Sequence, residues 1–170
     1  MSVKYGLAAI ADTSTRLFIL GSLPGERSLG EQRYYAHPTN QFWRLVGLVI
    51  GENLQGLDYG DRLALLCKYG IGLWDVVGAA RREGSGDHAI HDATHNDIGG
   101  LKRDYPLLRA IGFNGGLASR EGLRLLSGAP GLTLIPLPSS SAANARMSFE
   151  QKAKAWTELR RFLTLPLKES

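Results

Sequence analysis

Four short, largely apolar runs at residues 16–20, 71–74, 110–113 and 132–137 each stop at Gly, Asp, Asn or Pro. Runs of this length without polar alternation suit strands buried on both faces, because a half-solvated strand would alternate apolar and polar side chains. Between and after them, residues 40–50, 61–68, 116–126 and 148–163 carry apolar positions three and four apart, the spacing of one helix face. Ser148 with Gln151 three residues on is a capping-box start for the last of these. Strands that alternate with helices predict an α/β protein: a three-layer α/β/α sandwich around a central four-stranded parallel sheet. A chain of 170 residues can bury about two-thirds of its extended surface. No repeat, linker or low-complexity tract interrupts it, so residues 1–170 are read as one domain.

Composition narrows the class. A hydrophobic share of 44% with 21% charged residues is ordinary for a globular domain and excludes a disordered or fibrous chain. The formal charge of +4 tilts the surface towards anionic partners and permits nucleic acid. Cys67 is the single cysteine, so neither an internal disulfide nor a four-cysteine metal site can form, and its place after the apolar run 63–66 predicts a buried thiol. Near the N-terminus, Asp12 and Arg16 interrupt the apolar residues before a segment of signal or membrane length develops. The expectation is a cytoplasmic, monomeric protein with no membrane partner.

In a parallel α/β fold the working residues gather beyond the carboxyl ends of the strands. The unusual loops of this chain fall there: residues 21–25, Asp75, Asn114 with Gly115, and residues 138–146. A further stretch, residues 34–43, packs two tyrosines, His37, Pro38 and Asn40 just before an apolar helix. Phe42 and Trp43, inside that helix, are expected in the core, whereas Tyr35 offers a face on which a planar ligand can stack.

Taken together, Gly21-Ser-Leu-Pro-Gly25, Ala36-His-Pro-Thr-Asn-Gln-Phe-Trp43, Leu73-Trp-Asp-Val-Val77 and Leu137-Pro-Ser-Ser-Ser-Ala-Ala-Asn144 resemble the motif set of the uracil-DNA glycosylase superfamily, in the same order. The His-Pro block is similar to the mismatch-specific and thymine-DNA glycosylases. The Tyr-Tyr, Leu-Trp-Asp-Val and Pro-Ser-Ser-Ser features are more similar to the hypoxanthine-DNA (deoxyinosine) glycosylases. The resemblance implies a monofunctional enzyme that flips a deaminated base, hypoxanthine first, out of DNA and hydrolyses its N-glycosidic bond. Mismatch-specific uracil excision and a catalytically decayed binding module of the same fold are the alternatives.

The resemblance also assigns residues. Mismatch-specific enzymes hold their attacking water with an Asn at the position occupied here by Leu23, which cannot orient water. The hypoxanthine family uses the Asn of its His-Pro block, which is Asn40; its other reading is a helix N-cap. Asp75 either reads the base or helps the water, unless it merely caps its loop through backbone N–H groups. Ser22, Leu23, Tyr35, His37 and Asn114 are expected around the base. Ser139, Ser140, Ser141 and Asn144 are expected at the DNA backbone, with Arg146 as a phosphate contact and the 81–87 segment, led by Arg81, lying against phosphates. Ser140 and Ser141 lack a histidine partner that would support a serine hydrolase. His88, His91 and His95, interleaved with Asp87, Asp92 and Asp97, have spacings that suit zinc only on a helix, and the Asp-, Asn- and Gly-rich context favours a polar loop. No metal or cofactor is therefore expected, and with no lysine in the matched motifs, no strand cleavage.

Overall fold

A computed structural model describes residues 2–164. The end of the 1–170 domain assignment lies outside them. In chain order the elements are β1 (Val3–Tyr5), β2 (Leu17–Gly21), α1 (Glu26–Glu31), α2 (Phe42–Ile50), α3 (Tyr59–Lys68), β3 (Ile71–Asp75), β4 (Val77–Arg81), β5 (His91–His95), α4 (Leu101–Asp104), β6 (Ala110–Asn114), α5 (Gly116–Leu125), β7 (Thr133–Leu137) and α6 (Phe149–Thr157). All four expected strands form, and they pair in parallel in the order β3-β2-β6-β7.

The apolar runs explain this sheet. Along β2, Leu17 and Ile19 point into one cluster with Phe42, Leu45, Leu66 and Trp156, while Phe18 and Leu20 point into another with Leu101, Ile111, Phe113 and Ala118. Period-two side chains thus bury both faces, with α2, α3 and α6 on one and α4 and α5 on the other. The outer edge of β3 is covered by a backbone bridge in which Ile10 and Leu73 exchange N–H···O bonds of 2.9 and 2.8 Å. Helix α6 starts on the predicted capping box, with Gln151 N–H to Ser148 Oγ at 3.1 Å and Ser148 N–H to Gln151 Oε1 at 2.8 Å. After Thr157 it tightens into a 3-10 turn, Glu158–Phe162.

A second sheet adds to the expected architecture. β1, β4 and β5 form a small antiparallel sheet beside the first, with Val3 opposite Arg81 and Arg81 opposite His91. The 81–87 segment therefore begins in a strand. Arg82 is 1% exposed and cannot lie against a phosphate. Cys67 is half-buried rather than fully enclosed, on the solvent-flanked end of α3. Among the described residues no helix is long and apolar enough to cross a membrane.

The sheet order also fixes where a site can form. From β2 the chain passes to β3 on one side and later to β6 on the other. The connections leave the carboxyl ends of β2 and β6 in opposite directions and open a crevice there.

Candidate active site

A cleft of about 650 Å³ opens at that crevice. Its floor is set by strand register: Gly21, the last residue of β2, lies opposite Asp75, the last residue of β3. A Cβ at residue 21 would come within 2.6 Å of Asp75 Oδ1 and 3.1 Å of Tyr35 Oη, so only glycine lets the strand end approach these two groups.

Asp75 is 3% exposed and lines the cleft. Its backbone carbonyl accepts from Asn96 Nδ2 at 2.8 Å, but Oδ2 is buried with no hydrogen-bond partner among the described residues. Among the described residues no backbone N–H bonds to Oδ2, so the loop-cap reading of Asp75 finds no support there. Burial, and next the Asp87 carboxylate, push the acid up to about 7, against a smaller opposing pull from Arg82.

On the other side of the cleft three segments converge on one hydrogen-bond chain. Asn114, at the end of β6, accepts from Ser140 N–H at 2.9 Å and donates Nδ2 to Ser140 Oγ at 2.9 Å and to Tyr35 Oη at 3.2 Å. The Ser140 hydroxyl in turn donates to Asn40 Oδ1 at 2.8 Å, and the Phe42 N–H donates to the same oxygen at 2.9 Å. Asn40 thus holds the first N–H of α2 from just before the N-cap residue Gln41, and both acceptor sites of its oxygen are occupied. Its Nδ2 hydrogens have no protein partner among the described residues, which leaves a donor on the cleft wall.

Tyr35 adopts a left-handed backbone, φ 53°, which costs a bulky residue roughly 1–2 kcal/mol. The cost is met by its surroundings: the ring stacks on Phe42 with centroids 3.8 Å apart, and Trp43 Nε1 donates to its carbonyl at 3.2 Å. Phe42 and Trp43 are core residues, as expected. One face of the Tyr35 ring is therefore covered, and the residue still borders the cleft. Burial raises its phenol well above the ordinary range, so it is neutral.

The cleft brings together every residue expected around the base. Ser22, Leu23, Tyr35, His37, Asp75 and Asn114 all line it, and Asn40 does too. His37 is exposed, its Nδ1 accepting from Thr39 N–H at 3.2 Å. Ser139, Ser140, Ser141 and Asn144 border the same opening, but Ser140 is 1% exposed and its hydroxyl is directed inward. Arg146 is exposed beyond the cleft. Arg81 also lies off it, with Asp92 Oδ2 3.7 Å from its Nε.

Three participants were not legible as such in the sequence. The tip between β4 and β5 roofs the cleft: Ser22 Oγ donates to Asp87 Oδ1 at 2.6 Å, and Glu26 N–H donates to Ser85 Oγ at 2.9 Å. Arg82 buttresses the 21–25 turn from behind, donating to the Leu23 and Pro24 carbonyls. Lys152, 1% exposed in α6, donates to Gln41 Oε1 at 2.9 Å and Ser141 O at 3.1 Å, tying the 139–144 loop to the start of α2. The zinc-like histidines do not assemble: His91 and His95 stand at opposite ends of β5, and His95 Nε2 faces Glu121 at 3.5 Å. Among the described residues no three His, Cys, Asp or Glu side chains are placed to share a metal ion.

Residues 8–160 match the family described as the uracil DNA glycosylase superfamily. A hypoxanthine DNA glycosylase of Methanosarcina acetivorans is 48% identical over 152 residues, covering 89% of this chain and 95% of that protein. A second, from Methanosarcina barkeri, is 43% identical over 155 residues, covering 91% and 96%. The fold superposes on a solution NMR structure of a Methanosarcina acetivorans chain with a TM-score of 0.84 at 46% identity, covering 94% of this chain and 98% of the other.

Proposed function

This chain belongs to the uracil DNA glycosylase superfamily and is a DNA glycosylase, and from that premise we propose that it removes hypoxanthine from DNA by hydrolysis, leaving an abasic site. The observation that carries the reading is the convergence of Tyr35 and Asn40 from the loop before α2 with Asp75 and Asn114 from two strand ends on one cleft at the carboxyl ends of parallel strands. The extent and identity of the match to two hypoxanthine DNA glycosylases supports the choice of base. Leu23, buried where mismatch-specific relatives carry a water-holding Asn, weighs against strong uracil excision.

Breaking an N-glycosidic bond leaves positive charge on the sugar and negative charge on the base. Because bond cleavage runs ahead of attack in such a reaction, the water needs placement more than deprotonation. Asn40 supplies placement: its oxygen is fixed by Phe42 N–H and Ser140 Oγ, so its Nδ2 donates to the water in one orientation. The base enters beside Tyr35, with Ser22, His37 and Asn114 at its edges. Ser139, Ser141 and Asn144 contact the DNA backbone near the flipped nucleotide, with Arg146 and Arg81 as outlying phosphate contacts. Ser140 positions the two amides instead.

The test is incubation of the full chain with duplexes carrying one deoxyinosine, deoxyuridine or deoxyxanthosine. Alkali-dependent breaks at deoxyinosine are expected first. Breaks formed without alkali would refute a purely hydrolytic enzyme, and no alkali-labile product from any of the three duplexes would refute the assignment.

A further inference from the structure

We propose that Asp75 works as a neutral carboxylic acid, donating a hydrogen bond to the extruded base and stabilising the negative charge that collects there as the glycosidic bond breaks. This rests on the glycosylase reading of the cleft and settles which of two opposite jobs the acid performs.

The geometry carries the choice. A buried carboxylate needs donors, and among the described residues Oδ2 of Asp75 has no hydrogen-bond partner. The buried guanidinium of Arg82 directs its hydrogens to the Leu23 and Pro24 carbonyls. From the hairpin tip a second carboxylate, Asp87, faces the same space, held there by Ser22 Oγ. From the loop before α2 come the phenols of Tyr34 and Tyr35, both neutral through burial. Arg27, His37 and His88 border the cleft only at its exposed mouth. Every group around Asp75 except Arg82 therefore leaves its charge uncompensated, and its acid is raised to about 7, chiefly by burial.

A protonated acid at the cleft floor can donate, and a hydrogen bond to an atom gaining negative charge strengthens towards the transition state. An ionised Asp75 would instead repel that charge. The hydrolysis balances simply: the C1′–N bond pair stays with the base, the water oxygen bonds to C1′, one water hydrogen remains in the new hydroxyl and the other ends on the base. If Asp75 gives up its proton to the base, the proton released by the water restores it.

Acting as an acid and acting as a base for the water demand opposite protonation states, so the two roles have pH slopes of opposite sign. Single-turnover release of hypoxanthine, with enzyme in saturating excess, should be followed from about pH 6 to about pH 9 for the natural chain, Asp75→Asn and Asp75→Ala. The natural enzyme should slow about tenfold or more across that span as the acid ionises. Asp75→Asn, whose amide donates at every pH, should stay active with a flat profile. Asp75→Ala should be slower by about 100-fold at the acidic end. A natural profile that is flat or rises with pH overturns the proposal alone, as does an Asp75→Asn protein that folds normally and is inactive throughout. Absence of base release at every pH overturns the glycosylase reading and the proposal with it.

Discussion

Replacing Asp75 by Asn should stabilise the protein, and by an amount that grows with pH. A carboxyl whose acid rises from 3.8 to about 7 on folding keeps its proton in the native state while the unfolded chain has already lost it. Between those two values the native state binds more protons, so stability falls as pH rises; below both values the penalty vanishes, and above about 7 it is constant. At about 1.4 kcal/mol per pH unit the full penalty is about 4 kcal/mol. At pH 5 it is about 2 kcal/mol, so the natural chain should lose a further 2–3 kcal/mol relative to Asp75→Asn between about pH 5 and pH 8. The new amide lacks a buried partner and gives back about 1–2 kcal/mol at every pH, which shifts the difference without changing its slope. In a chain of this size each kcal/mol moves the midpoint by about 2–4 °C, so the variant should melt about 5–10 °C higher at pH 8. Paired thermal or urea unfolding curves of both proteins at several pH values give the answer. A difference that is constant with pH, or one that shrinks as pH rises, would refute the claim that Asp75 is buried uncompensated.

Three further outcomes follow from the cleft. Asn40→Ala should lower base release at least 100-fold while leaving affinity for deoxyinosine DNA within a few-fold, by gel shift and single-turnover kinetics; unchanged cutting would remove Asn40 from the mechanism. Ser140→Ala deletes the donor to Asn40 and the acceptor for Asn114 Nδ2, so stability should fall by about 1–3 kcal/mol and the rate by 10-fold or more; a rate equal to the natural one would show that Asn40 needs no such support. Gly21→Ala, whose added Cβ meets Asp75 Oδ1 at 2.6 Å, should cut activity about 100-fold by displacing Asp75 and Tyr35, and normal kinetics would contradict the tight floor drawn above.

The parallel sheet was legible because uninterrupted apolar strands have few other uses, and each observed strand falls within a residue or two of its run. The antiparallel sheet was not. Its β5, His-Asp-Ala-Thr-His, is exposed along most of its length and owes its extended form to pairing with β4, a long-range fact that leaves no hydrophobic period. The same limit hid the chemistry of individual polar groups. Nothing in the local sequence sets Arg82 and Lys152 apart from ordinary solvated charges, and only the packed loops reveal them as buried struts. Ser140 was recognised through its motif as one of a loop of DNA-backbone serines, and its inward hydroxyl was not legible, because adjacent loop serines are indistinguishable until a partner such as Asn114 is placed in space. Asp75 was found by position after a strand; that it lacks donors is a property of its neighbours and is written nowhere in its own motif.

The Ser140 hydroxyl joins two things that chemistry could have kept apart. It sits in the loop that borders the cleft, its backbone carbonyl receives Gln41 N–H at 2.9 Å, and its side chain holds Asn40. A displacement of that loop therefore drags the amide with it. If the loop seats a phosphate, then a backbone that docks badly also misplaces the water, and recognition and hydrolysis share one checkpoint. An enzyme that destroys bases in a genome gains fidelity from such a linkage, since a poorly seated normal nucleotide would meet a disarmed site.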